Sequence, residues 1–307
     1  MLNPKRLLLV ASSELRRTPA FERAVALARA SGAALHIVAV DYVEALSFVG
    51  VFNHDAMARL RDGYLQLHRQ WLEQEAESER KRGLEVTVRL FWTHHMIDDI
   101  CTYAEEIKAD LLIKDVHQES TLKRLFFTPM DWHLLRDCPL PVHLVTGPNN
   151  PLPRKIVAAV NLFREDDADL LLNDVIIEAA SQMAKQCDAE LHLLYVNDWS
   201  AIFASGFTML GAMPVETGFA EAMAEAHLEE FNALAKHHGV LNERAHFLTG
   251  VPLPCIKTFV VENEFDVLVM GTLPHHTVDR IVGDTAESLL QHAPCSVLIV
   301  HAARGAK

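Results

Sequence analysis

The stretch GAALHIVAV (Gly32–Val40) returns as DAELHLLYV (Asp188–Val196), so that Ala33, Leu35, His36 and Val40 fall on Ala189, Leu191, His192 and Val196 at an offset of 156. The same offset sets KADLLIKD (Lys108–Asp115) on EFDVLVMG (Glu264–Gly271), with Asp110 on Asp266. Downstream, HLLRDCPLPVHLV (His133–Val145) matches SLLQHAPCSVLIV (Ser288–Val300) at 155, so the second copy has lost one residue in between. At the front, RLLLVAS (Arg6–Ser12) matches KIVAAVN (Lys155–Asn161) at 149, which leaves extra residues after the first strand of the second copy. Self-similarity on this scale means one structural unit used twice.

Each copy shows the same alternation. Continuous apolar runs of strand length (Leu7–Ala11, Ala34–Val40 and Asp110–Lys114; Ile156–Val160, Glu190–Val196 and Asp266–Met270) are separated by helix-period segments such as Ala20–Ser31 and Asp169–Gln186. Strands apolar on both faces and alternating with helices indicate a parallel sheet covered on both sides. The expected fold is α/β: two tandem doubly wound domains, each a five-stranded parallel sheet with helices on both faces. TGPNNPLP (Thr146–Pro153), with three prolines, a glycine and two asparagines, reads as the joint. It divides the chain into domains at 1–146 and 154–307, with a linker at 147–153. Ligands in such folds bind beyond the carboxyl ends of the strands, near the reversal of strand order.

Composition narrows the function classes. The 307 residues carry a net charge of −13, and half are hydrophobic. A diffuse acidic balance disfavours nucleic acid and anionic membranes as partners. The start, MLNPKRLLLVASSELRR, has too short an apolar run for a secretory signal, and no run approaches a membrane span. Five scattered cysteines, odd in number and without CxxC, fit a reducing compartment. The expectation is a cytoplasmic protein with buried free thiols.

Met270–Glu287, MGTLPHHTVDRIVGDTAE, decides the site question. DVLVMGT…VGDTAESLLQHAPCSVLIV is similar to the strand, phosphate loop, helix and strand that close a universal stress protein domain. FTPMDWHLLRDCPLPVHLV (Phe127–Val145) resembles the corresponding end of the first domain in the tandem, E-type branch. The resemblance covers nearly the whole chain. It implies the adenine nucleotide alpha hydrolase-like fold, an internal pseudo-dimer of the two domains, and a role in surviving stress by binding and regulation. A further dimer of two chains is a slighter expectation.

Nucleotide-binding members of that family carry G-x2-G-x9-G-(S/T), whose amides and hydroxyl hold ATP phosphates, and an acid after the first strand. By resemblance, Gly271 matches the first glycine and Gly283 the third, one residue early. Pro274 stands at the second, Asp284 at the Ser/Thr position, and Asn161 replaces the acid. The resemblance thus implies a nucleotide site of Asn161, Val196, Gly271, Gly283, Asp284 and Thr285, with Val196 facing the base. Proline removes an amide donor. A carboxylate at Asp284 repels phosphate unless a cation such as Mg intervenes. DTAE (Asp284–Glu287) also reads as a capping box, with Asp284 at the N-cap and Glu287 at N3. ATP or ADP, with or without Mg, is therefore a candidate ligand, and no cofactor is required. The first copy has Asp115 for Gly271, Ser12 for the acid and no glycine in Asp115–Pro129, so no ATP is expected there. Lys114, Lys123 and Arg124 could meet an anion or simply be solvated.

Other constellations carry less. The pairs His94–His95, His237–His238 and His275–His276 point apart as neighbours do, and no metal site is expected. There is no GxSxG and no Walker loop, so a catalytic residue is not assigned, and slow ATP hydrolysis rests on relatives alone. DWSAIFASGFTMLGAMP (Asp198–Pro214) is apolar and lies on the ligand side of the second copy. It reads as packing, or as a pocket of Phe203, Phe207, Met209 and Leu210 for a lipid-like or acyl ligand, or as a surface for an unidentified protein partner.

Overall fold

A computed structural model describes residues 4–41, 54–119, 124–126, 129–147, 150–162, 167–198, 217–272 and 293–301. The chain divides into two compact units. One comprises Asn3–His117 and Phe127–Leu152; the other comprises Pro153–Lys307 with Gln118–Phe126.

In the first unit β1 (Arg6–Val10) leads to α1 (Pro19–Ser31), β2 (Ala34–Asp41), α2 (His54–Lys81), β3 (Val86–Trp92), α3 (Met96–Glu106) and β4 (Leu111–Asp115). Two short strands, β5 (His117–Glu119) and β6 (Arg124–Phe126), pair with each other, and α4 (Pro129–Asp137) and β7 (Val142–Val145) follow. The sheet runs β3-β2-β1-β4-β7, all parallel. Leu7, Leu8 and Leu9 of β1 are fully buried on both faces, as a central parallel strand demands.

The second unit repeats this with β8 (Lys155–Val160), α5 (Asp167–Cys187), β9 (Glu190–Asn197), α6 (Thr217–His237), β10 (Ala245–Thr249), α7 (Pro252–Glu262), β11 (Val267–Thr272) and β12 (Ser296–His301). A 3-10 turn, Asn242–Arg244, precedes β10. The order β10-β9-β8-β11-β12 is again all parallel. In both sheets the order reverses beside the first strand, between β1 and β4 and between β8 and β11. The expected doubly wound α/β fold is therefore present in both copies.

Local chemistry explains the elements. α1 starts on Thr18, whose hydroxyl accepts the Phe21 N–H at 3.3 Å, with proline at the first helical position. It stops at Gly32, in the left-handed region at φ 68°, with the Gly32 N–H directed to Ala28 C=O. The repeat partner of Gly32 is Asp188, at φ 53°. Asp110 accepts the Lys5 and Arg6 N–H groups at 2.7 and 2.9 Å. Asp266 does the same for Arg154 and Lys155 at 2.7 and 3.0 Å. That shared aspartate fixes where the first strand of each unit begins.

The sequence missed one feature. Asp115–Pro129 reads as an irregular loop, yet it contains β5 and β6. Strands of three residues each are too short for a period-two pattern to register. The helix expected at Thr285–His292 lies outside the described residues.

Candidate functional site

The carboxyl ends of β8, β9 and β11 carry three of the expected site residues. Asn161 directly follows β8 and its side chain is exposed. Its backbone is held by Asn173 of α5, which is buried. The Asn161 N–H donates to Asn173 Oδ1 at 3.0 Å, and Asn173 Nδ2 donates to the Asn161 C=O at 2.6 Å. The end of the first strand is thus pinned through its main chain, which leaves the Asn161 amide facing outward.

Val196 is buried near the end of β9. Its neighbours Tyr195 and Asn197 make polar contacts with α6. The Tyr195 hydroxyl lies 3.4 Å and Asn197 Oδ1 3.3 Å from His227 Nδ1. Burial, with Asp198 nearby, pushes the Tyr195 hydroxyl up to about 12, so it stays protonated near neutrality. Asn197 Nδ2 is buried with no hydrogen-bond partner. Sequence reading passed over Tyr195, Asn197 and His227. The strand period signals that Tyr195 and Asn197 share a face, but only packing brings His227 of a distant helix to them.

Gly271 lies within β11, and its φ is not in the left-handed region. A Cβ here would sit 2.6 Å from Leu172 Cγ and Cδ1 and 2.8 Å from Ile176 Cδ1. Leu172 and Ile176 belong to α5, so this glycine lets the helix lie close on the strand. Gly283, Asp284 and Thr285, with Pro274, lie outside the described residues. So do Phe203, Phe207, Met209 and Leu210.

The first unit is built differently at the same place. Asp115, the last residue of β4, aims its carboxylate at the start of α1. Oδ1 accepts the Ala20 N–H at 2.8 Å, and the Thr18 hydroxyl also hydrogen-bonds the carboxylate. Burial pushes the Asp115 carboxyl above its usual range, against those stabilising bonds, and Oδ2 is buried with no hydrogen-bond partner. The helix N-terminus that might attract an anion already holds one from the chain. Lys114 is likewise engaged: Nζ lies 2.7 Å from the fully buried Asp131 Oδ1 and 3.0 Å from the Asp115 C=O. Ser12 Oγ accepts the Glu14 N–H at 3.3 Å.

The histidine groups fall in separate places. His95 precedes α3, with Nδ1 3.9 Å from Asp98 and both side chains largely exposed. His238 pairs with Asp174 at 2.8 Å. His192 and His246 lie in nearly parallel rings, with Nδ1 of one 2.9 Å from Nε2 of the other, a shared-proton geometry. Among the described residues no three metal-ligating side chains converge.

The description "Universal stress protein family" matches residues 4–146 and again 154–301. The chain belongs to the universal stress protein family. It carries two universal stress protein domains in tandem, as the repeat indicates. It is similar to universal stress protein E of Escherichia coli K12, 25% identical over 286 residues that span 92% of this chain and 89% of the relative. It is equally similar to universal stress protein E of Photorhabdus laumondii, 25% identical over 305 residues, covering 98% and 96%. Among solved structures, a functionally unknown Pseudomonas aeruginosa PAO1 protein superposes with a TM-score of 0.73 at 23% identity, covering 97% of this chain and 93% of that one. An Archaeoglobus fulgidus universal stress protein superposes with 0.64 at 16%, covering 96% and 98%. At those identities the structural likeness speaks for the fold alone. Among the described residues no helix is long and apolar enough to cross a membrane.

Proposed function

We propose that this chain is a cytoplasmic stress-survival protein that works by binding, with an adenine nucleotide held in its second domain and none in its first. The observation that carries this reading is the asymmetry between the two switch points. In the first unit Asp115 fills the helix N-terminus and Lys114 is neutralised by Asp131. In the second unit the equivalent strand ends carry an outward-facing Asn161, Val196 and the side-chain-free Gly271. The loop bearing Gly283, Asp284 and Thr285 follows β11. A carboxylate at Asp284 calls for a cation such as Mg beside the phosphates.

The test is calorimetric titration of the full chain with ATP and ADP, with and without Mg. About one nucleotide per chain should bind, and Gly283→Val should abolish binding while the fold survives. No heat at millimolar nucleotide, or unchanged affinity in Gly283→Val, sinks the reading.

A second reading has one observation in its favour. Gly271 is accounted for by its packing against Leu172 and Ile176, so that glycine does not by itself require a phosphate. On this reading the chain binds an apolar, lipid-like ligand or a protein partner through Ala201–Pro214 and needs no nucleotide. Mass spectrometry of small molecules released on denaturation separates the two. An acyl compound that is lost in Phe203→Asp/Phe207→Asp supports the second; ATP or ADP supports the first.

A further inference from the structure

The five cysteines are all free thiols, spread through the sequence with no motif between them. Two of them meet in the first unit. Cys101 lies in α3, one residue after the buried Ile100. Cys138 directly follows α4, with its N–H bonded to Leu134 C=O at 3.0 Å. The two helices pack on each other, and this brings the thiols into hydrogen-bond contact. Cys101 is partly exposed and Cys138 is buried.

The contact is polarised. The Cys101 S–H donates to the Cys138 sulfur, which also accepts the Leu140 N–H. Those two donors hold the Cys138 thiol below the ordinary thiol range, against the opposing effect of burial. Cys101 is pushed up, first by that same hydrogen bond and then by burial, with Asp137 and Asp98 adding to it. One sulfur is therefore inclined to be a thiolate, and its neighbour carries the proton and faces solvent. This resembles an attacking and a resolving thiol set side by side.

We propose that Cys101 and Cys138 form an oxidant-reactive dithiol that closes to an intramolecular disulfide, with a hydroperoxide as oxidant. The Cys138 thiolate attacks one peroxide oxygen; the O–O bond breaks and hydroxide leaves, giving a sulfenic acid. The Cys101 sulfur then attacks the Cys138 sulfur. The S–O bond breaks, and the departing hydroxyl takes the Cys101 proton as water. The two thiols lose two electrons and the hydroperoxide is reduced by two. Two sulfurs already in contact need little movement to reach the S–S length of about 2.05 Å. The disulfide would tie α3 to the end of α4, on the strand-β4 side of the first unit. It needs neither nucleotide nor metal, so it stands or falls apart from the reading above.

The experiment treats the native full chain with hydrogen peroxide, and separately with the thiol oxidant diamide. Remaining thiols are alkylated in denaturant, and the unreduced tryptic digest is read by mass spectrometry. A linked pair of the peptides Leu90–Lys108 and Asp137–Arg154 is expected. It should disappear on reduction, be absent from Cys101→Ser, and account for two of the five thiols lost. Cys101→Ser replaces a partly exposed thiol, and its folding is checked by circular dichroism. Cys101 and Cys138 recovered as separately alkylated thiols after both oxidants, or as separate sulfinic acids, would overturn the proposal. Linkage of either to Cys187, Cys255 or Cys295 instead would do the same.

Discussion

Gly271 shows how one residue can satisfy two demands. Within β11 it needs no special φ, so its value is the absent side chain. Leu172 Cγ would lie 2.6 Å from a Cβ, closer than van der Waals contact allows, and Leu172 is itself buried. Gly271→Ala should therefore destabilise the second unit by about 1–3 kcal/mol through overpacking. Chemical denaturation measures that directly. Combining it with Leu172→Ala should cost less than the two single losses added, because the smaller side chain removes the clash. If Gly271→Ala is as stable as wild type and only ligand binding suffers, the packing account of this glycine is wrong.

At the scale of elements, the two units share a device that the repeat carries in its sequence. Asp110 and Asp266 each accept two backbone N–H groups at the start of the first strand. Both follow a non-glycine residue with positive φ, Lys108 at 52° and Glu264 at 54°, at the same offset of 156. The carboxylate thus ties the turn before β4 or β11 to the neighbouring strand. Replacing Asp266 by Ala leaves two strand-initiating amides without their acceptor. That should cost about 1–3 kcal/mol, and Asp110→Ala should cost a similar amount. Hydrogen exchange at Lys155 or Arg6 gives the local reading. Unchanged protection in either variant would remove the strand-start role.

For the whole molecule, pH is the informative variable. His36, His192 and His246 are all held below the ordinary imidazole range, chiefly by burial, with His192 and His246 also opposing each other's charge. Glu190 pulls His192 the other way, while Arg244 and Lys155 add to the lowering. Below pH 6.5 the unfolded chain takes up protons that these folded histidines refuse. Stability therefore rises with pH through this window and falls as the solution is acidified towards the folded values. Asp115 acts in the opposite sense and lower on the scale. Its raised carboxyl contributes stability that is complete below about pH 3.8 and lost as pH rises through its folded value. The urea midpoint should fall between pH 7.5 and pH 5.5, and His192→Gln with His246→Gln should flatten that slope. A wild-type midpoint that is level across the range contradicts the burial of these rings.

The sequence by itself determined the architecture. Apolar runs with strand length, the offset of 156 and the proline-rich joint are consequences of local patterning. A parallel strand must be apolar along its length wherever it sits, so Leu7–Leu9 and Val267–Val269 announce themselves. The position of the switch-point residues Asn161, Val196 and Gly271 was legible for the same reason, since each ends a strand that can be recognised. Only the tertiary structure decided what those residues do. That Gly271 makes room for Leu172, that Asp115 fills the start of α1, that His227 reaches Asn197, and that Cys101 meets Cys138 all depend on elements far apart in the chain. Such pairings leave no period in the sequence. They arise when helices dock on a finished sheet, and the distance of approach, rather than the residue type, then sets the chemistry.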